Sequence, residues 1–305
     1  MNSQGSKVKT FCSAALILSV AGFALYLFSY LAASDKTDYF IAGHPIPMLA
    51  NALAVAYVLF SLSALVLIKK GTLPTQDFTC NAPCVIAILP VIGSIVAGLA
   101  CTTYFGYNEM IALSAGQARL DANAICAFLV AIGAILSAVY YVLRTINRSV
   151  PATAFVLTAL GPVALMTGLC GLTYFEQDHH MNAPAKIALQ LAFIATMVFL
   201  TAELRYTIDR AQPRRYLASA CVALFANVCA LPGAFPVLLD LRNAVHGTRI
   251  LCFALLCLCN GTYIAYRLLS FSKYCTLPAA PEQTQGKEQD DGCQQQDPMA
   301  SQENN

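Results

Sequence analysis

Long apolar runs broken by short polar or basic turns set the pattern of this chain. Eight such runs are present, over residues 10–33, 46–68, 82–105, 122–143, 152–175, 183–204, 216–237 and 249–271. Each reaches the roughly twenty residues that a helix needs to cross a ~30 Å hydrocarbon core at about 1.5 Å per residue. Continuous apolar character over that length, without period-two alternation, predicts membrane-crossing helices and not strands. Prolines fall where helices begin: Pro45 and Pro47 open the second run and Pro184 the sixth. Proline suits a first turn because its missing N–H would be unpaired there in any case.

The stretch from Tyr174 to Arg215 orients the whole. It holds a polar loop with two adjacent histidines, one membrane-length helix, and a basic turn with Arg205, Arg210, Arg214 and Arg215. Clustered Lys and Arg in a short connection mark the cytoplasmic side, and the Tyr174–Phe175 pair suits the opposite interface. Extended to the whole chain, thirteen basic residues fall on the side of the termini and of the turns after runs two, four and six: Lys7, Lys9, Lys69, Lys70, Arg144, Arg148, Arg205, Arg210, Arg214, Arg215, Arg267, Lys273 and Lys287. Five fall on the other side: Lys36, Arg119, Lys186, Arg242 and Arg249. The expected architecture is therefore an all-α integral membrane protein, an eight-helix transmembrane bundle with both termini in the cytoplasm. Removing or adding one span would destroy the alternation.

A weak repeat runs through the bundle. Tyr-Phe pairs close runs one, three and five at Tyr39-Phe40, Tyr104-Phe105 and Tyr174-Phe175, and basic stops follow at Lys69, Arg144 and Arg205. This describes a helix hairpin used four times, which as a true duplication implies parallel repeats about an axis near the membrane normal. Membrane constraint alone, which favours aromatic residues at interfaces, is the competing account.

Composition agrees with the pattern. Of 305 residues, 58% are hydrophobic and only 11% are charged, against about 25% charged in soluble domains. Residues 1–275 form the polytopic domain. Residues 276–305 are rich in Gln, Glu, Asp, Pro and Asn, with six acids against Lys287, and are expected to be a disordered acidic cytoplasmic tail open to a protein partner. A net charge of +2 gives no argument for nucleic-acid binding. Homo-oligomerisation is compatible with the pattern. The run after Lys7 and Lys9 exceeds the usual apolar length of a signal peptide, so an uncleaved first span is expected, with cleavage at Ala32–Ser34 as the alternative.

Thirteen cysteines are present, but Cys12, Cys126, Cys221, Cys229, Cys252, Cys257 and Cys259 lie inside apolar runs, where Cys behaves as a small hydrophobe. Cys101 and Cys170 approach outer helix ends, and Cys80, Cys84, Cys275 and Cys293 fall on the inner side. They read as reduced packing residues rather than a disulfide framework. Glycine and proline recur within the spans: Pro90 and Gly93, Gly161 and Pro162, and Pro232, Gly233 and Pro236. They kink packed helices or mark broken helices at a binding site. Gly93, Ser94 and Gly98, and Gly168 with Gly171, permit close helix contact.

Two sets of residues are candidates for chemistry. All four histidines, His44, His179, His180 and His246, fall in expected outer loops near Asp35, Asp38, Glu109, Asp121, Glu176, Asp178 and Asp240. Imidazole and carboxylate suit a divalent metal, and imidazole also suits pH sensing. Their scattered spacing matches no metal motif, so solvated loops are the plain reading and no cofactor is expected. At membrane depth, Asn51, Gln190, Asn227 and Asn260 are candidates for lining a polar cavity, with Asn123 a further polar position. Interhelical hydrogen bonding is the alternative role for each. No charged residue is expected near the middle of a span, which argues against proton-coupled transport. Glu203, one turn from the inner surface, is expected to pair with the adjacent basic turn. No HExxH, P-loop, G-x-S-x-G or GxGxxG signature is present, and the Cys80/Cys84 spacing lacks a nearby His for a nucleophile.

The run Tyr174-Phe175, Met181-Asn182-Ala183-Pro184-Ala185-Lys186-Ile187-Ala188-Leu189-Gln190-Leu191, its Glu203-Leu204-Arg205 stop and the turn Gln212-Pro213-Arg214-Arg215 together resemble a stretch of multi-pass membrane proteins of anaerobic Gram-positive bacteria. The resemblance covers about a seventh of the chain. It implies a polytopic membrane protein and carries no activity or site, because that group has no assigned function.

Three functions are expected, in order. The first is a non-enzymatic sensor or scaffold, the second a small carrier for a neutral or lipid-like solute, and the third a membrane-embedded enzyme. A mid-depth cavity lined by the four polar residues would favour the carrier; a packed centre would count against it.

Overall fold

The apolar runs fold as eight helices, and the computed structural model describes residues 3–34, 40–67, 84–114, 122–146, 152–175, 183–208, 210–235 and 244–276. The helices are α1 (Ser3–Ala32), α2 (Pro45–Leu67), α3 (Cys84–Ser114), α4 (Ala122–Ile146), α5 (Ala152–Phe175), α6 (Pro184–Thr207), α7 (Pro213–Ala230) and α8 (Ala244–Thr276). All eight are long and apolar enough to cross a membrane. Among the described residues the only extended pairing is an isolated bridge between Ser34 and Phe40. Of the expected tail, residues 276–305, Thr276 ends α8 and 277–305 lie outside the described residues.

Local chemistry explains the boundaries. Gly43 has φ of 77° in a turn where the His44 N–H donates to the Ile41 carbonyl at 3.1 Å. That geometry favours glycine, and Pro45 then starts α2. Pro184 and Pro213 occupy the first turns of α6 and α7. Within α7 the run expected over 216–237 is not one helix. It stops at Ala230 and continues as a 3-10 turn, Leu231–Ala234, because Pro232 can neither donate to the α-helical ladder nor tolerate the carbonyl one turn before it. Pro90 and Pro162 are instead absorbed inside α3 and α5.

Helices α3, α4, α5, α6, α7 and α8 pack in sequence around a ring, with α8 returning to α3. The α1–α2 hairpin lies against α7, and α1 also touches α8. The outer surface is apolar: Val66, Val85 and Ile17 are 82%, 73% and 69% exposed. Such a surface fits hydrocarbon, not water. In lipid the apolar effect between helices is weak, so close packing and interhelical hydrogen bonds must hold the bundle. The α4–α5 seam meets the first need. A methyl added at Gly161 would lie 2.6 Å from the Leu136 carbonyl carbon, and one at Gly133 would lie 2.7 Å from the Leu165 Cα. Gly168 faces Val130 and Gly171 faces Cys126 on the same seam. The Tyr57 hydroxyl of α2 meets the second need. It sits 3.2 Å from the carbonyls of Ala15 on α1 and Cys221 on α7, with Ser19 donating to it at 3.2 Å.

Candidate functional site

Two features stand out from the packed bundle: a buried ion pair inside the ring and an apolar groove on its flank. The ion pair joins α6 to α8. The Arg267 Nε–H lies 2.8 Å from Glu203 Oε1 and 3.0 Å from the Tyr263 hydroxyl oxygen. Tyr263 in turn donates to Glu203 Oε1 at 2.9 Å. Both charged side chains are sealed off, at 0% and 1% exposure. Aromatic rings wrap them: Tyr141 meets Tyr263 edge-on at 5.3 Å, Phe199 lies 6.5 Å from Tyr263, and the Arg267 guanidinium sits 5.0 Å from the centre of the Tyr263 ring. On α4, Arg144 repeats the arrangement, with its Nε donating to Tyr140 at 3.3 Å and its guanidinium facing Phe155.

This centre corrects two expectations. Glu203 does not pair with the neighbouring basic turn; its partner comes from α8. Arg267 is not a flanking charge either. Helix α8 continues to Thr276, nine residues past Arg267, which places the Arg267 Cα roughly 13 Å from the helix end at about 1.5 Å per residue. A signal was present in the sequence: Tyr140 precedes Arg144, and Tyr263 precedes Arg267, by four residues, the spacing that stacks two side chains on one helix face.

The groove arises because α2 and α6 both lie against α7 and leave a furrow between them. Ala54, Val58, Leu62 and Leu65 of α2 form one wall, and Ala188, Leu191, Ile194 and Val198 of α6 form the other. Ala218, Val222, Phe225, Ala226 and Cys229 of α7 form the floor, and Tyr26 of α1 closes one end. Its volume is about 590 Å³. From Arg215 to Cys229 it follows α7 for roughly 21 Å, taking about 1.5 Å per residue. A second cavity of about 230 Å³ continues it, sharing Val198, Arg215 and Ser219 and adding Thr201, Ala202, Arg205 and Gln212. The floor is rigid: Phe225 stacks on Tyr57 at 4.2 Å, and Gly22 of α1 brings α1 against Phe225 and Cys229.

The polar positions singled out from the sequence are dispersed. Asn51 is exposed on α2 and accepts from the Tyr26 hydroxyl at 3.0 Å. Asn227 is buried on α7, donating to Thr196 Oγ1 of α6 at 2.7 Å and to the Ala223 carbonyl at 2.8 Å. Gln190 is half-buried on α6 and Asn260 is buried on α8. None of the four lines either cavity described above. Asn123 lies in the first turn of α4. Of the histidines, His44 is half-buried, with Nδ1 accepting from the Ile46 N–H at 3.4 Å. His246 falls in the first turns of α8, and His179 and His180 lie outside the described residues. Among the described residues no three His, Cys, Asp or Glu side chains converge as metal ligands would. No protein-family model, curated protein or solved structure matches the chain.

Proposed function

We propose that the protein sits in a bacterial cytoplasmic membrane with both termini inside, and that it acts as a non-enzymatic sensor or scaffold whose ligand is a lipid-like amphiphile drawn from the bilayer. The groove between α2 and α6 carries this reading. Its volume of about 590 Å³ falls in the few-hundred to ~1,000 Å³ range of small-molecule sites. Its lining is almost wholly aliphatic and aromatic, and it runs along the helix direction, as a lipid chain does. In hydrocarbon such a furrow gains no hydrophobic drive, so selection rests on fit: a chain matching its shape gains dispersion contacts that a poorly fitting one forfeits.

The test is photocrosslinking in proteoliposomes with a lipid carrying a diazirine on its acyl chain. Crosslinks are expected on α2, α6 and α7 peptides, and on the floor residues Val222 and Ala226 above all. Ala54→Trp combined with Ala188→Trp, which fills the furrow from both walls, is expected to cut floor labelling at least severalfold while labelling of the exposed α5 face stays constant. Uniform labelling around the bundle, unchanged in the filled variant, sinks the reading.

One observation favours a carrier of the same ligand class as a second reading. Helix α7, the floor of the groove, breaks into the 3-10 turn at Leu231–Ala234, and broken helices line the binding sites of many transporters. Accelerated passage of a fluorescent amphiphile between the leaflets of proteoliposomes, abolished by the double Trp variant, would move the carrier ahead.

A further inference from the structure

The apolar groove ends at two arginines, and their setting differs from that of their neighbours. Arg214 is committed to the fold: its Nη1 donates to the Leu65 carbonyl at 3.2 Å, satisfying one of the last acceptors of α2 at the point where α7 begins. Arg215, the next residue, is exposed. It lines both the groove and the smaller cavity and has no ion-pair partner among the described residues. Arg205, two residues before the end of α6, lines the smaller cavity from the opposite side, likewise with no ion-pair partner among the described residues. Among the described residues no carboxylate lines this cavity. Its other polar groups are Thr201 and Ser219, whose hydroxyls donate to backbone carbonyls within their own helices at 2.8 and 2.9 Å, and Gln212.

Resting on the reading of the groove as an amphiphile site, we propose that this two-arginine cavity recognises the phosphate of an anionic membrane phospholipid whose acyl chain lies in the groove. Guanidinium is matched to phosphate geometry and keeps its charge at all relevant pH values. The two groups stand one on each wall, at the last turn of α6 and the first turn of α7, where the hydrocarbon gives way to headgroups. Apolar furrow and cationic end are continuous through Val198, Arg215 and Ser219, so one molecule with a chain and an anionic head fills both. A free anion would fill only the smaller cavity.

The full-length protein in neutral detergent, observed by native mass spectrometry with phosphatidylglycerol and chain-matched diacylglycerol in competition, tests this. Retention of phosphatidylglycerol is expected to exceed that of diacylglycerol about tenfold, as one or two charge-assisted hydrogen bonds imply. Arg205→Gln with Arg215→Gln is expected to erase that preference and leave diacylglycerol bound as before, while Arg210→Gln, an exposed arginine outside the cavity, leaves the preference intact. The single exposed substitution Arg215→Gln, expected to lower the preference severalfold, gives the readout if the double variant does not fold. Equal retention of the two lipids by the unaltered protein overturns the headgroup assignment and leaves the groove standing. Retention of neither defeats the groove reading itself. Displacement of the phospholipid by millimolar inorganic phosphate would also overturn the proposal, because it would assign the arginines to a soluble anion.

Discussion

Glu203 and Arg267 face each other in a place where each alone would be intolerable. Moving a charge out of water costs several kcal/mol even after relaxation, and within a membrane the same holds for any ionisable group that cannot reach the interface. Here Glu203 Oε1 gathers both the Arg267 Nε–H and the Tyr263 hydroxyl, while Oε2 has no hydrogen-bond partner among the described residues. The pair is thus satisfied on one oxygen, and its chief physical effect is to lock α6 to α8 across the ring. Glu203→Gln is expected to destabilise the bundle by about 3–5 kcal/mol, since it strands the guanidinium without its counter-charge. Arg267→Met is expected to cost a similar amount for the converse reason. The double variant Glu203→Gln/Arg267→Met is expected to recover a large part of that loss, which unfolding by a denaturing detergent measures directly. Strictly additive losses in the double variant would mean that the two residues act independently and that their pairing stabilises nothing.

At the scale of the helix, close approach is the recurring device, and its strength differs sharply from site to site. Gly161 and Gly133 allow the α4 and α5 backbones to touch, whereas a methyl at Gly261 would meet Asn227 Cβ at 3.6 Å, an ordinary contact. Gly161→Ala is therefore expected to cost about 1–3 kcal/mol through forced separation of the helices. Gly261→Ala should fall within about 0.5 kcal/mol of neutral, a contrast readable as thermal midpoints of the two variants in one detergent. The sequence exposes only part of this. Gly168 and Gly171 are legible as a small-residue spacing, but Gly161 beside Pro162 reads as a kink, and only the partner helix reveals it as a contact. The deeper obstacle is that lipid and bundle interior are equally apolar. The inward face of a helix such as α2 or α6 therefore carries no polarity contrast, and neither the ring order nor the furrow between those two helices can be deduced from periodicity.

Across the whole molecule, hydropathy suffices for the number of helices because backbone hydrogen bonding in hydrocarbon leaves a helix as the only single-segment solution. It fails at Arg267, since hydropathy alone cannot know that α8 runs on to Thr276 and that Glu203 waits on α6. Charge placement nevertheless predicts a sidedness, and the packing shows which helix ends lie together. The Arg214–Leu65 hydrogen bond sets the start of α7 beside the end of α2, and the Glu203–Arg267 pair sets the end of α6 beside the lower part of α8. Helices α2, α6 and α8 therefore finish on one side, the side on which α7 begins. That face gathers Arg205, Arg210, Arg214, Arg215 and Lys273, while Lys186 and Arg249 stand toward the other. Basic residues beside short connections are retained in the cytoplasm, so tags at both termini should resist protease in intact spheroplasts and be digested in inverted vesicles. A tag inserted between residues 176 and 182 should show the reverse. Digestion of either terminal tag in intact spheroplasts would break the orientation, while the phosphate preference of Arg205 and Arg215 would stand or fall on the lipid competition alone.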